Sequence, residues 1–558
     1  MLIFIQSLFL KRLFIPILIG VLWLLLFLIV NPIGEFPLND DWAFSKNVYY
    51  LAEQGIFKFS DWPAMTLIVQ TLIGTLVCSI FGFSFTVLRF STIFIGFLGI
   101  IFTYLLINEL TNNKKIATIG TLLVAINPLF FSLSATFMTD VYFYTFEVVS
   151  FIYFFKYIKT DYTRLLIIAT VLSIGATLIR QIGILIPLSF TITYLYRKNF
   201  NIKILLIASL PFIFTLTSLI LYNKWYDLTQ GARPDYGTIG AILEKTKKIP
   251  ELFFLTFMRT GYILTYVGFF LLPLLIINLK RRWKILSRKN KIKSLIITSL
   301  FILPIARMWN EIPVGNILQN FNLGPKNLRD VFFIGLNNET TLSSSTWKIF
   351  VLIALVGALL LVFTIISSLL NRNKIMITNQ FTSIRKIKMM AIIFIFLYSA
   401  ILFLSDYYFD RYVLSFIPVM IIAVLPIFNY SINKISILFT IVFIIGLGAF
   451  STMATHDYLA WNRARWQALN DLTIKEKISP KYIDGGFEFN GWYMPGKYTE
   501  KEKNRKKSWW WVDKDDYLIT FGSIPNYTTI KKYPFDTFLG NKHQSIFVLQ
   551  KDSLAKAN

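Results

Sequence analysis

Long apolar runs set the first limit on what this chain can fold into. From Leu13 to Thr452, nearly uncharged stretches of about 15–25 residues alternate with short clusters of Lys and Arg. The densest clusters, Lys280–Lys284, Arg288–Lys293 and Arg385–Lys388, each fall between two such runs. Runs long enough to cross a bilayer, separated by bases that stay on the cytoplasmic side, describe a multi-pass membrane protein. Composition agrees: 55% of residues are hydrophobic, 17% are aromatic, and mean hydropathy is +0.59. The net charge of +26 therefore has a topological cause and calls for no nucleic-acid partner. A single cysteine, Cys78, excludes an intramolecular disulfide and a cysteine-cluster metal site. With only two histidines, His456 and His543, a multi-histidine zinc site is also excluded.

The run Leu13–Val30 follows Lys11 and Arg12 and has no small-residue cleavage site after it. It reads as a retained span leading outward from a cytoplasmic N-terminus. Met65–Phe81 is ambiguous, because counting it as a crossing would put Lys114-Lys115 and most later basic loops outside. Reading it as a re-entrant or interfacial helix keeps the bases inside. Further spans then fall near 86–107, 116–131, 141–158, 165–179, 182–196, 203–221, 251–277, 294–306, 347–370, 391–405, 413–428 and 435–452. The total is about thirteen, an odd number, so the C-terminal tail lies outside. From Ala454 onward, Trp, Tyr, Gly, Lys and Asp dominate, and Tyr517–Phe521 and Ser545–Leu549 alternate as strands do. The expected architecture is a polytopic α-helical transmembrane domain over 1–453, with the first outer loop over 31–85, and a small extracytoplasmic mixed α/β or β-rich domain over 454–558.

The first outer loop is acidic in a basic chain. Between Asn31 and Pro63 lie Glu35, Asp40, Asp41, Glu53 and Asp61 against Lys46 and Lys58. A carboxylate pair such as Asp40-Asp41 at a membrane surface is what a general base for a lipid-borne substrate requires. An N-cap by Asp40 on the following helix accounts for the same residues. Asp140, in Phe137-Met138-Thr139-Asp140, falls on the same outer side, where it could support an acceptor or, with Asp41, a divalent cation. A helix cap is the alternative there too. Glu147 lies two turns deeper on the same helical face, an ionisable group at membrane depth. Arg89, Arg180, Arg259, Arg307 and Arg411 sit near outer span ends, where they either grip a phosphate headgroup or snorkel. Arg180 interrupts two apolar runs, and Arg411 lies within Asp410-Arg411-Tyr412. The stretch Gly491–Lys497 has phosphate-loop spacing but ends on Tyr498 and follows no clear strand, so it is set aside. An outward-facing enzyme without a nucleotide site needs an activated donor delivered in the membrane, which points to a lipid phosphate.

The order of these features resembles the GT-C glycosyltransferases, in particular the protein O-mannosyltransferases and the aminoarabinose transferases that modify lipid A. The acidic pair, the re-entrant stretch, Leu88-Arg89 opening the next span and Asp140 in a later outer turn carry the resemblance. So do Asp410-Arg411-Tyr412-Val413 before Pro418, and the segments Asp457–Trp466 and Ile483–Trp492. The resemblance implies a GT-C fold and inverting transfer of a monosaccharide from a polyprenyl-phosphate donor to a lipid, glycan or protein acceptor. It implies Asp40 as the base, with Asp41 standing where the family has Glu. Arg89, Arg180, Arg307, Arg411 and Tyr412 would then receive the donor phosphate, with Asp140 and Glu147 supporting the acceptor or a metal. Family members differ in metal use, so a divalent cation on Asp41 and Asp140 stays open. A non-enzymatic transporter of polyprenyl-linked glycans is the alternative; it would show paired repeats with broken helices, and the sequence shows none. A reporter fused after Lys115 is expected in the cytoplasm, and reporters after Ser84 or Asn558 outside. A cytoplasmic signal from Ser84 would overturn the interfacial reading of Met65–Phe81.

Overall fold

The computed structural model describes residues 2–196, 201–230, 249–315, 317–318, 344–370, 379–405, 408–424, 433–494, 514–539 and 542–555. Most of the loop expected over 307–346 and the last three residues of the phosphate-loop look-alike lie outside these residues. Among them, seven helices are long and apolar enough to cross a membrane, and the protein is a multi-pass membrane protein. They are Leu13–Val30, Phe85–Thr111, Ile202–Thr229, Ile249–Phe270, Trp347–Leu370, Ser383–Leu404 and Lys434–Lys475. A bent pair, Lys114–Ala125 and Pro128–Ser134, makes an eighth if its 60° break is one crossing. The expectation of about thirteen spans is therefore not met by the described helices, and the reasons are local.

The expected span 116–131 breaks where Asn127 accepts from the Leu129 amide and Pro128 starts a new helix. The runs near 165–179 and 182–196 form the short helices Thr163–Thr177 and Leu185–Leu195 around Arg180. The run near 413–428 opens as a 3-10 turn, Asp410–Ser415, before the nine-residue helix Phe416–Val424. Thr139–Thr160 has the length to cross, yet 17 of its 22 residues are buried among neighbouring helices. Such segments find their partners in protein and so tolerate breaks that lipid would not. The outer faces of the long helices show the opposite pattern, with Leu28 77%, Phe396 73% and Ile435 81% exposed, as lipid contact demands. The helix Ile68–Phe81 has 14 residues, or roughly 21 Å, short of a hydrocarbon core of about 30 Å.

Caps define where these helices begin. Ser84 accepts from the amides of Thr86 and Val87, Asn113 from Ile116, and Asn433 from Ser436. Ends fall on residues that reach positive φ, such as Gly55 at 67°. Thr139–Thr160 packs against Phe85–Thr111, Thr163–Thr177 and Asn379–Leu404 at the centre of the bundle.

Beyond the membrane, strands β1 (Ile483–Asp484), β2 (Tyr517–Thr520), β3 (Tyr527–Asp536) and β4 (His543–Lys551) form one sheet in the order β1-β2-β4-β3. β1 runs parallel to β2, and the other pairs are antiparallel. The sheet packs on Lys434–Asn470, a 37-residue helix that passes without a break through the boundary expected at 453/454. Asp457, already past that boundary, holds the amides of Phe538 and Leu539 at 2.8 Å each.

One helix contact is unusually close. A Cβ on Gly357 would lie 2.6 Å from the carbonyl oxygen of Gly268, and one on Gly268 would lie 2.4 Å from the Ala358 nitrogen. Backbone on both sides leaves no side chain to give way. Gly357→Ala should therefore cost about 1–3 kcal/mol of stability in detergent. Gly446→Ala, where a Cβ meets nothing within 4 Å, should not destabilise. Equal unfolding midpoints for the two variants would contradict this packing.

Candidate active site

The loop between Val30 and Phe85 is sewn to the bundle by Asp41. Asp41 opens the helix Asp41–Gln54, and its carboxylate accepts from the Leu38 amide at 2.5 Å and the Phe137 amide at 3.0 Å. Burial pushes this carboxyl up to about 7, against the two amides and Arg89, which pull it down. Thr66 donates to the Thr177 carbonyl and Gln70 to the Phe137 carbonyl, at 2.7 Å each. The loop, the Phe137–Asp140 turn and the break at Arg180 thus meet at one place. The break is tight enough that a Cβ on Gly183 would come within 2.5 Å of the Thr177 nitrogen.

At this junction Asp40 is not a side-chain cap. It occupies the N-cap position but makes no capping hydrogen bond. Its Oδ2 instead accepts from Arg411 at 3.1 Å and its Oδ1 from the Trp62 indole at 3.1 Å. Asp140 lies in the first turn of its helix and pairs with Arg180 at 2.6 Å. The two ion pairs adjoin, since Arg411 feels the charges of both Asp40 and Asp140, and Arg180 feels Arg411. Tyr412 lies between them, its ring centroid 5.4 Å from the Arg180 guanidinium and 6.0 Å from that of Arg411. The Tyr398 hydroxyl donates to the Tyr412 carbonyl at 3.2 Å.

Several polar atoms in this cluster remain open. Arg411, 3% exposed, has no hydrogen-bond partner on Nε or NH1, and Asp140 has none on Oδ2. Glu147 is fully buried and neither of its oxygens meets a partner at bonding geometry; the groups acting on it are Ser415 and Arg180. Open guanidinium donors beside a buried acid suit an incoming anion with an attached hydroxyl-bearing partner. Nearby is an apolar cavity of about 360 Å³, lined in part by Tyr266, Phe269, Leu318, Trp347, Phe443 and Phe450. The Leu318 amide donates to Asp410 at 2.7 Å, which places one wall of the cavity next to Arg411.

The structure separates other residues from this cluster. Arg89 is fully committed, donating to the carbonyls of Pro32 at 2.5 Å, Gly34 at 3.2 Å and Phe36 at 2.6 Å. It holds the loop in shape and is not disposed to bind phosphate. Arg307 is 57% exposed and pairs with Glu311, away from the acids. Asp410 pins the Ile317 and Leu318 amides, so the acid that holds the Arg411 side chain is Asp40, far away in sequence. Asp41 gives both oxygens to backbone amides, Asp40 and Asp140 face arginines, and the described residues contain no metal-holding group of three or more His, Cys, Asp or Glu. Sequence reasoning missed Trp62 and Tyr398, which carry no charge to mark them. It also missed Asn39 and Glu488, although both fall inside stretches already singled out.

Residues 66–225 match the dolichyl-phosphate-mannose-protein mannosyltransferase family. This bears out the GT-C resemblance. The matched stretch contains Arg89, Asp140, Glu147 and Arg180 but neither Asp40 nor Arg411. No curated protein matches the chain. Two solved structures resemble it weakly. The archaeal oligosaccharyltransferase AglB from Archaeoglobus fulgidus, in complex with an inhibitory peptide and a dolichol-phosphate, is 15% identical with a TM-score of 0.39. The alignment covers 84% of this chain and 58% of that one, so the chain spans little more than half of the archaeal enzyme. ArnT from Cupriavidus metallidurans, bound to undecaprenyl phosphate, is 11% identical with a TM-score of 0.36, over 96% of this chain and 98% of that one.

The ion pair between Asp140 and Arg180 can be tested directly. Removing either partner leaves a buried charge alone, which costs about 3–5 kcal/mol. Asp140→Asn and Arg180→Gln should each destabilise by that order, and the double variant by well under their sum. Strict additivity in a double-mutant cycle would show that the two side chains do not interact.

Proposed function

We propose that this chain is an inverting glycosyltransferase that moves a monosaccharide from a polyprenyl-phosphate carrier to a hydroxyl acceptor on the outer face of the membrane. The observation that carries the reading is the Asp40–Arg411 pair, a half-buried acid on the first outer loop held by a buried guanidinium with two open donors. The family match over 66–225 supports glycosyl transfer in general.

In this reading the donor phosphate lies against Arg411 and Arg180, with Tyr412 beside it, and its prenyl chain enters the neighbouring apolar cavity. Asp40 takes the proton from an acceptor hydroxyl. The acceptor oxygen forms its bond to the anomeric carbon from the face opposite the phosphate, and the bond from that carbon to the phosphate oxygen breaks. The polyprenyl phosphate leaves with the electron pair, and the arginines stabilise its new charge. Attack from the opposite face inverts the sugar. Asp41 shapes the loop that carries the base, and Asp140 holds Arg180 in place.

Asp40→Asn retains size and an acceptor for the Trp62 indole but cannot take the proton. Transfer should fall by about 10²–10⁴-fold while folding and donor-lipid binding persist. The measurement compares glycan and lipid masses formed by membranes holding wild-type or variant chain, beside the thermal midpoint of each. Transfer near the wild-type level by a folded Asp40→Asn protein would exclude Asp40 as the base.

A further inference from the structure

The base is held from two sides, and one side belongs to the outer domain. Asp40 follows Asn39, whose backbone has φ +57°, a left-handed conformation that costs a non-glycine residue energy unless its surroundings hold it. The Asn39 side chain accepts from the Asp40 amide at 3.0 Å. The Asn39 amide donates at 3.1 Å to Glu488, a residue 449 positions later in the outer domain. Glu488 is fixed in turn by Arg465 at 2.8 Å, a guanidinium that is 1% exposed. Arg465 also donates to the Gly485 carbonyl at 2.9 Å, which ties Lys434–Asn470 to the turn preceding Glu488.

The second hold runs through the adjacent residue. The Trp62 indole that donates to Asp40 packs its ring 5.5 Å from Phe487, edge to face, and both rings contact Trp42 at 6.1 and 6.0 Å. Gly491 lies so near Trp42 that a Cβ there would come within 2.5 Å of the indole. Lys46, on the same helix as Trp42, donates to the Gly491 carbonyl at 3.1 Å, and burial pushes its ammonium down to about 8. The helix Phe487–Tyr493 is therefore seated on the loop that carries Asp40; its first residue packs on the Trp62 indole that binds the carboxylate, and its second accepts from the Asn39 amide just before Asp40.

We infer that Phe487 and Glu488 are positioning residues for Asp40, so that the outer domain sets the geometry of the reacting carboxylate and acts in the chemical step. The inference rests on the reading of Asp40 as the base. Phe487 fixes the indole that orients Oδ1, and Glu488 fixes the strained peptide that aims the side chain. Neither residue need touch the donor. Loss of either hold frees the carboxylate to drift, and a displacement of about 1 Å can cost roughly 10²-fold in rate.

The test uses full-length chain in membranes, with the lipid extract of the source cells as donor and the glycan mass that forms only in the presence of the chain as product. Glu488→Ala and Phe487→Leu should each lower kcat tenfold or more and leave KM for the lipid extract unchanged. The Asn39–Asp41 amides should exchange with solvent faster in both variants. Glu488→Gln combined with Arg465→Gln retains an acceptor for the Asn39 amide and removes the buried ion pair, so it should restore most of kcat. Phe487→Leu keeps an apolar side chain and leaves the ion pair intact, so it reports on the positioning role if Glu488→Ala fails to fold. A wild-type kcat in folded Phe487→Leu overturns the inference, as does failure of the double replacement to recover a rate lost in Glu488→Ala. If Asp40→Asn is inactive while the Phe487 and Glu488 variants turn over normally, the base assignment stands and the positioning role alone falls. If Asp40→Asn is active, the underlying reading falls first.

Discussion

Four charges inside a mostly apolar body must be satisfied by one another, and much of the structure follows from that constraint. Taking a single carboxylate or guanidinium out of water costs several kcal/mol even after relaxation. Asp40 with Arg411 and Asp140 with Arg180 meet this cost in pairs, with Tyr412 between them. The bundle is interrupted where these groups enter it. Thr163–Thr177 stops short so that Arg180 can turn inward, and the segment opening at Asp410 winds as a 3-10 turn. These interruptions would be unfavourable facing lipid. They persist because Thr139–Thr160 and its neighbours wall the site off from the bilayer.

The arginines show that one residue type in one kind of position can do three different things. Arg89 closes a loop onto itself through three carbonyls, Arg307 lies exposed beside Glu311, and Arg411 keeps donors open beside an acid. All three sit near the outer ends of apolar runs, so hydropathy cannot separate them. What separates them is which carbonyls and carboxylates the fold brings within reach. Asp40 and Arg411 are 371 residues apart, a distance over which no local pattern operates. The acids themselves stood out in a basic membrane chain, although a helix cap accounted for them equally well in the sequence. Their partners did not stand out.

The described long helices fall short of the expected thirteen for a related reason. Hydropathy treats every apolar run as facing lipid, yet Pro128–Ser134 and Phe416–Val424 are apolar because they are buried in protein. Buried helices can be short, and a run of nine or eleven residues joined to another across a turn looks in sequence like a full crossing. The C-terminal sheet was only partly legible. Its β2 and β4 strands centre on short apolar runs, whereas β3 carries exposed Lys531 and Lys532 and a bulge between Thr529 and Lys531 that hides its period. The continuity of Lys434–Asn470 through the expected domain boundary was invisible, because the helix changes from apolar to polar without changing its backbone.

That continuity gives the protein a fixed vertical scale. Thirty-seven residues of helix measure roughly 55 Å, against about 30 Å of hydrocarbon. The helix therefore stands proud of the bilayer like a post, and the sheet rides on the projecting part. Near the foot of that part, Arg463 grips the carbonyls of Asn31 at 2.5 Å and Ile33 at 3.2 Å, so the post is braced against the end of the first span. A braced post without a hinge resists swinging. The sheet is thereby held at a fixed height above the end of the first span, a height set by helix pitch rather than by any loop.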